Sequence, residues 1–213
     1  MGRINQGILG GFSGKVGNVV GGNWKGIDYM RVKPASVANP KTVGQVNQRT
    51  KFTETLRFLQ PMKDFIKCGY TGFAVQKTEV NSAMSYILKN AITGTSPNFV
   101  IDYPAALVSR GALTGASNGA IDVATPGTGT FSWDDNTGSG SALATDKAML
   151  LLYNETKGEV IFTTDGAARS AASQGLALPP DYSGDTVRAY IAFIKADGSV
   201  VSNSSYIGSA VVA

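Results

Sequence analysis

A glycine-rich stretch from Gly10 to Gly26 contains the pair Gly14-Lys15, which invites comparison with a phosphate-binding loop. Such a loop needs a glycine five positions before the Gly-Lys pair and a Ser or Thr after it, so that backbone amides and the lysine surround a phosphate. This sequence has Leu9 and Val16 at those two positions. It therefore lacks both requirements, and we expect no nucleotide and no other cofactor.

Two further sets of residues could do chemistry. Asp134 and Asp135 are adjacent, so in a strand their carboxylates point to opposite faces and do not converge for acid–base work. They also lack the ligand spacing of a calcium loop, and turn residues explain them more simply. Cys68 ends an apolar helical run and is expected to act as a small hydrophobe.

Histidine is absent from the sequence, and Cys68 is its sole cysteine. These two facts exclude a Ser-His-Asp or Cys-His catalytic group, a histidine metal ligand, a CxxC metal site and an internal disulfide. We therefore expect no catalytic residue, no metal site and no enzymatic activity.

The charge of the chain is divided between its two halves. Residues 1–96 hold 13 Lys and Arg against 4 Asp and Glu, whereas residues 97–213 hold 6 against 11. This asymmetry favours either a side that faces nucleic acid or head-to-tail packing between copies. Two domains that differ merely in composition would give the same counts.

The N-terminus shows no secretory signal, because Asn5, Gln6 and Gly7 interrupt the apolar residues at once. No apolar run approaches the roughly 18 residues of a membrane span. We expect the protein to be synthesised in the cytoplasm. Two alternatives for its later location are incorporation into a virion and export by a route that uses no signal peptide. The sequence leaves the final location unknown.

The chain preceding residue 97 predicts a basic domain, residues 1–96, made of a glycine-rich β-hairpin and a helical region. Val16 to Val20 and Trp24 to Val32 form the arms of the hairpin, and Gly21-Gly22 are expected to form its turn. Apolar residues at helical spacing then predict helices over 43–67 and 73–92, the first broken at Pro61.

Residues 97–213 predict an acidic antiparallel β-sandwich, because short strand-like runs recur between turn signals such as Asp197-Gly198. The fold class is therefore α+β. Leu178-Pro179-Pro180-Asp181-Tyr182 and the following residues to Tyr190 resemble the run into the penultimate strand of fibronectin type III-like domains. Trp133 stands where such domains often place a core tryptophan. The resemblance implies an immunoglobulin- or fibronectin III-like sandwich.

The whole chain also resembles a family of uncharacterised proteins of roughly 200 residues from Bacteroidetes-type bacteria. The matching segments are Gln6-Gly7, Gly11 to Gly17, Trp24-Lys25-Gly26, Gln48-Arg49 to Phe52, Ser132 to Asp135 and Ser202 to Tyr206. Because the function of this family is unknown, the resemblance implies no activity, ligand or catalytic residue. It supports treating the two halves as one evolved unit.

We interpret the sequence as that of a structural protein that assembles with further copies of itself in a filament, a surface layer or a phage-like particle. Glycines let backbones approach closely, and the divided charge lets the basic part of one copy meet the acidic part of the next. Two alternatives are nonspecific nucleic-acid binding by the basic half and a carbohydrate- or protein-binding accessory module. The expected contact residues are Phe12, Lys15, Val16, Gly17, Val20, Gly21, Gly22, Trp24 and Lys25.

Overall fold

The structure is a computed structural model that describes residues 2–4, 10–24, 26–36, 39, 41–73 and 77–213. The chain forms two compact units, Met1–Thr42 and Val43–Ala213. The boundary expected between residues 96 and 97 does not coincide with this division. The reason is that the helices of residues 43–96 share a hydrophobic core with the sheet that follows them.

The first unit is an antiparallel sheet in the order β1-β2-β3-β4. Its strands are β1 (Arg3–Ile4), β2 (Phe12–Val16), β3 (Val19–Trp24) and β4 (Ile27–Val32). The predicted hairpin is thus part of a larger sheet.

The turn predicted at Gly21-Gly22 is wrong. Val16 pairs with Val19, so the first turn is formed by Gly17, with a φ of 57°, and Asn18. Gly21 and Gly22 lie inside β3, where they pair with Met30 and Tyr29 of β4. A glycine at the first central position suits a two-residue hairpin loop, because that position needs a positive φ.

The second unit begins with the helices α1 (Val43–Leu59), α2 (Lys63–Gly69) and α3 (Glu79–Asn90). The predicted break at Pro61 is confirmed, since Pro61 lies between α1 and α2. The helix predicted over 73–92 begins later, at Glu79. Thr78 caps it by accepting a hydrogen bond from the backbone N–H of Asn81 at 3.2 Å.

Antiparallel strands make up the rest of the second unit. A small hairpin of β5 (Ile92–Thr95) and β6 (Asn98–Ile101) follows α3. Two sheets then form in the orders β10-β9-β12-β13 and β11-β8-β7. Their strands are β7 (Ser117–Asp122), β8 (Thr128–Asp134), β9 (Lys147–Asn154), β10 (Glu159–Thr163), β11 (Ser173–Ala177), β12 (Thr186–Ile194) and β13 (Ser205–Val211). The expected α+β class with an antiparallel sandwich is confirmed.

The four-stranded sheet is covered on both faces. Along β9, Met149, Leu151 and Tyr153 join the core formed with the helices, whereas Leu150 and Leu152 join the core between the two sheets. Successive side chains of a strand point to opposite faces, so this alternation places one layer on each side. The second unit therefore has three layers: helices, a four-stranded sheet and a three-stranded sheet.

A buried ion pair lies within the sandwich. Arg169 and Asp146 are both fully buried, and the guanidinium donates to Asp146 Oδ2 from Nε at 3.2 Å and from Nη2 at 3.1 Å. Burial lowers the pKa of Arg169, and the hydrogen bond and charge of Asp146 oppose that shift. The guanidinium carbon lies 3.7 Å from the ring centroid of Phe193, and the Arg169 carbonyl accepts a hydrogen bond from the indole of Trp133 at 2.8 Å.

Replacing Arg169 tests how much this pair stabilises the second unit. We expect Arg169→Met to lower the free energy of unfolding by about 3–5 kcal/mol, because the carboxylate of Asp146 would stay buried without its cation. Urea unfolding followed by tryptophan fluorescence measures the change. The matched control is Lys67→Met, which breaks the exposed pair between Lys67 and Asp64 and should leave the midpoint unchanged. A loss as small as that of the control would contradict the prediction.

Candidate interaction surface

The register of the N-terminal sheet sorts its side chains onto two faces. Lys15 pairs with Val20 and Val20 with Arg31, whereas Gly22 pairs with Tyr29 and Trp24 with Ile27. Directly paired residues share a face, and residues two apart along a strand share it too. We call this the basic–aromatic face, and its members are Lys15, Val20, Gly22, Trp24, Ile27, Tyr29 and Arg31.

The opposite face is mainly apolar. We call it the apolar face, and its members are Phe12, Gly14, Val16, Val19, Gly21, Asn23, Asp28, Met30 and Val32. Asp28 is the sole acidic residue among residues 1–42. It accepts a hydrogen bond from the Asn23 amide at 2.7 Å across the β3–β4 pair. Asp28 therefore adds no carboxylate to the basic–aromatic face.

Two glycines of β3 leave room for aromatic rings. A Cβ atom on Gly21 would collide with the backbone carbonyl and the ring of Phe12 from the neighbouring strand. A Cβ atom on Gly22 would lie 3.0 Å from the hydroxyl of Tyr29. The missing side chains thus let Phe12 cover one face of β3 and Tyr29 lie against the other.

Large apolar side chains on both faces are exposed. Trp24 and Ile27 are 64% and 66% exposed on the basic–aromatic face, and Met30 and Val32 are 71% and 73% exposed on the apolar face. Among the described residues of Met1–Thr42, Gly21 alone is buried. A small sheet needs a covered hydrophobic face to be stable by itself in water. This sheet therefore leaves apolar surface exposed to water, and a covering layer would stabilise it.

Residues 11–208 match the model of a family of unknown function (DUF6266). The chain belongs to this family. The match begins in the N-terminal sheet and ends in β13, so both compact units are part of the family's sequence.

One solved structure similar to this chain is the fibronectin type III domain of human collagen alpha-1(XX) chain. That match has 14% sequence identity and a TM-score of 0.37, and it covers 57% of this chain and 90% of that domain. No curated protein sequence matches the chain. The sandwich assignment therefore rests on the strand order of the two sheets.

The predicted contact residues lie in one sheet but on different surfaces. Lys15, Val20, Gly22 and Trp24 lie on the basic–aromatic face, whereas Phe12, Val16 and Gly21 lie on the apolar face. Gly17 forms the β2–β3 turn, and Lys25 lies outside the described residues.

Strand β4 was missed as part of this surface. Each of its residues, Ile27–Val32, is exposed, and Ile27, Tyr29, Met30 and Val32 supply much of the apolar area. The sequence carries a signal for this, because Ile27–Val32 has large apolar residues at both odd and even positions. Such a strand has apolar side chains on both faces, and each face that no other layer covers is exposed to water. The predicted contact residues end at Lys25, so they include none of β4.

The other residues considered for chemistry have structural partners. Asp134 accepts a hydrogen bond from Asn118 at 2.6 Å, and Asp135 accepts one from the backbone N–H of Thr137 at 3.1 Å. The bonds from Thr137 lower the pKa of Asp135. Cys68 is half-buried against the helical core.

Within the described ranges, no group of three or more Cys, Asp or Glu side chains is placed to hold a metal ion. The helices of those same ranges include none that is long and apolar enough to cross a membrane.

Substituting Gly21 tests the close approach of Phe12. We expect Gly21→Ala to cost the sheet roughly 1–3 kcal/mol, because the new methyl group would overlap a backbone carbonyl that cannot rotate away. Hydrogen exchange should speed up at the amides of β2 and β3. The control is Gly44→Ala, where nothing lies within 4 Å of the added Cβ. Equal exchange in both variants would show that Phe12 is not seated on Gly21.

Proposed function

We propose that this protein is a non-enzymatic assembly protein, and that the sheet of Met1–Thr42 binds a second copy of the chain. The resulting array would be a filament, a surface layer or a phage-like particle. The observation that carries the proposal is the basic–aromatic face, where exposed Trp24, Ile27 and Tyr29 lie beside Lys15 and Arg31.

Charge complementarity supports a second copy as the occupant of this face. Residues 1–42 hold six Lys and Arg against one Asp, whereas residues 97–213 hold 6 Lys and Arg against 11 Asp and Glu. The basic face of one copy can therefore dock on the acidic sandwich of the next. Such a contact joins two different surfaces, so it repeats as a ring or a filament instead of closing as a two-fold dimer.

The free energy gained by burying apolar side chains shows that several of them must be covered together for two copies to associate. Fully burying one large apolar side chain contributes roughly 1.5–3 kcal/mol. Association costs roughly 4–15 kcal/mol in lost translational and rotational freedom. One or two contacts cannot offset that cost, whereas a face that buries Trp24, Ile27 and Tyr29 at once can approach it. Charge attraction then favours the acidic partner surface.

Assembly can be tested by light scattering coupled to size-exclusion chromatography. We expect the full chain to form oligomers whose size grows with concentration and falls at high salt. Ile27→Glu should weaken association by about tenfold or more, since it buries a carboxylate against an acidic surface. The matched control is Val43→Glu, at an apolar residue of α1 that is 76% exposed and belongs to neither proposed surface, and it should have little effect.

Two results would contradict the proposal. One is a full chain that stays monomeric at high concentration and low salt. The other is dissociation by Met30→Glu with none by Ile27→Glu, because Met30 lies on the apolar face. The contact would then not use the basic–aromatic face.

The same face favours nonspecific binding of single-stranded nucleic acid as a second candidate function. Exposed Trp24 and Tyr29 could stack on bases, while Lys15 and Arg31 could contact phosphates. Among the described residues on this face there is no carboxylate to repel a polyanion.

Fluorescence anisotropy with a labelled single-stranded oligonucleotide tests this candidate. Binding should weaken steeply with salt, and Arg31→Gln should reduce the slope of log K against log salt by about 0.7. Lys195→Gln, in the sandwich, should leave the slope unchanged. The candidate fails if affinity does not depend on salt or if both variants behave alike. Assembly that survives nuclease treatment would separate the first function from this one.

A further inference from the structure

A cavity of about 390 Å³ lies beside helix α3 in the second unit. Ser85, Tyr86 and Lys89 line it from α3, and Phe73, Lys77 and Arg110 line it from the segments around them. Residues three or four apart lie on one side of a helix, which is why these three side chains of α3 face the same cavity. The cavity is independent of the N-terminal sheet and of the assembly proposed above.

Arg110 lies over two aromatic rings. Its guanidinium carbon lies 4.5 Å from the ring centroid of Phe73 and 5.4 Å from that of Tyr86. Its backbone N–H donates to the carbonyl of Gly69 at 2.8 Å, which fixes the start of the side chain. Stacking of this kind orients a guanidinium without using its N–H donors, so those donors stay available to a ligand.

The charge of the cavity is of one sign. Of the described residues that line it, three are cations, Lys77, Lys89 and Arg110, and none is a carboxylate. Among the described residues, none of the three forms an ion pair within the protein. Like charges gathered around one space repel each other, and an anion bound among them would relieve that repulsion.

We propose that this cavity binds the phosphate group of a small phosphomonoester. The guanidinium of Arg110 would grip two phosphate oxygens with paired N–H donors, because its planar fork matches that geometry. Lys77 and Lys89 would add charge at the rim, and the hydroxyl of Ser85 would donate a further hydrogen bond. The cavity has a volume typical of small-molecule sites and larger than one phosphate ion needs, which leaves room for the group that the phosphate esterifies.

Isothermal titration calorimetry of the full chain tests the site with two probes, inorganic phosphate and adenosine 5′-monophosphate. We expect saturable binding that weakens with ionic strength. Arg110→Gln should raise the dissociation constant by about tenfold or more, since it removes a charged, bidentate donor. Lys89→Gln should raise it by a smaller factor. The matched control is Lys195→Gln, which removes a cation of the sandwich that does not line the cavity. It should leave the dissociation constant unchanged.

Variants that could disturb folding need a check. Arg110→Gln loses its contacts with Phe73 and Tyr86, so its thermal unfolding is compared with that of the original protein. Lys89 is exposed at the end of α3, and Lys89→Gln therefore carries the test if Arg110→Gln fails to fold. Arg110→Lys keeps the charge without the fork and should bind more weakly than the original protein but better than Arg110→Gln.

The two probes separate the sources of the phosphate. Tighter binding of adenosine 5′-monophosphate than of inorganic phosphate supports the phosphomonoester. Equal binding of the two probes overturns it and leaves a site for free phosphate. Absence of saturable binding by either probe overturns the proposal altogether. So does binding that Lys89→Gln and folded Arg110 variants leave unchanged.

Discussion

The second unit depends on one constraint, which is that both faces of its four-stranded sheet are covered and shielded from water. Strand β9 is buried along almost its whole length, and β12 beside it sends Tyr190 and Ala192 to the helices and Ala189 and Ile191 to the other sheet. Each strand must therefore supply apolar side chains at successive positions instead of alternate ones. Helices, sheet and second sheet hold together because the central strands belong to both cores.

This constraint also explains why the helices belong with the sandwich and not with the N-terminal sheet. Phe58, Phe65 and Ile87 are buried against side chains of the central sheet. Without them, one face of β9 and β12 would be exposed to water, at a cost of roughly 25 cal/mol for each Å² of apolar surface. Among the described residues of the N-terminal sheet Gly21 alone is buried, and the exposed side chains of this sheet are the physical reason for proposing a partner.

Local signals in the sequence predicted much of the fold. Pro61 ends α1, the apolar spacing of α3 is helical, and Asp197-Gly198 forms a turn with Gly198 at a φ of 73°. Strand β11 was missed, because Ser173–Ala177 has few large apolar residues and is a strand through its pairing with β8.

The candidate sites were harder to predict, because they depend on contacts between distant residues. The sequence places a turn at Gly21, whereas Gly21 lies in a strand against Phe12 of its own sheet. Its true role depends on which residue lies across the strand, and a single sequence does not show that register. Arg110 likewise gives no local signal, since its importance comes from Phe73 and Tyr86, which are separated from it by 37 and 24 positions.

The buried pair of Arg169 and Asp146 has a further consequence for how the sandwich can open. The guanidinium also donates to the carbonyl of Thr114 at 2.9 Å and to the amide oxygen of Asn136 at 2.7 Å, so one side chain joins four separate segments. Loosening any of these segments would leave a charged or polar group buried without its partner. Local opening of any one of these segments therefore has a high free-energy cost. The segments stay closed or separate together, so one end of the sandwich behaves as a single cooperative unit.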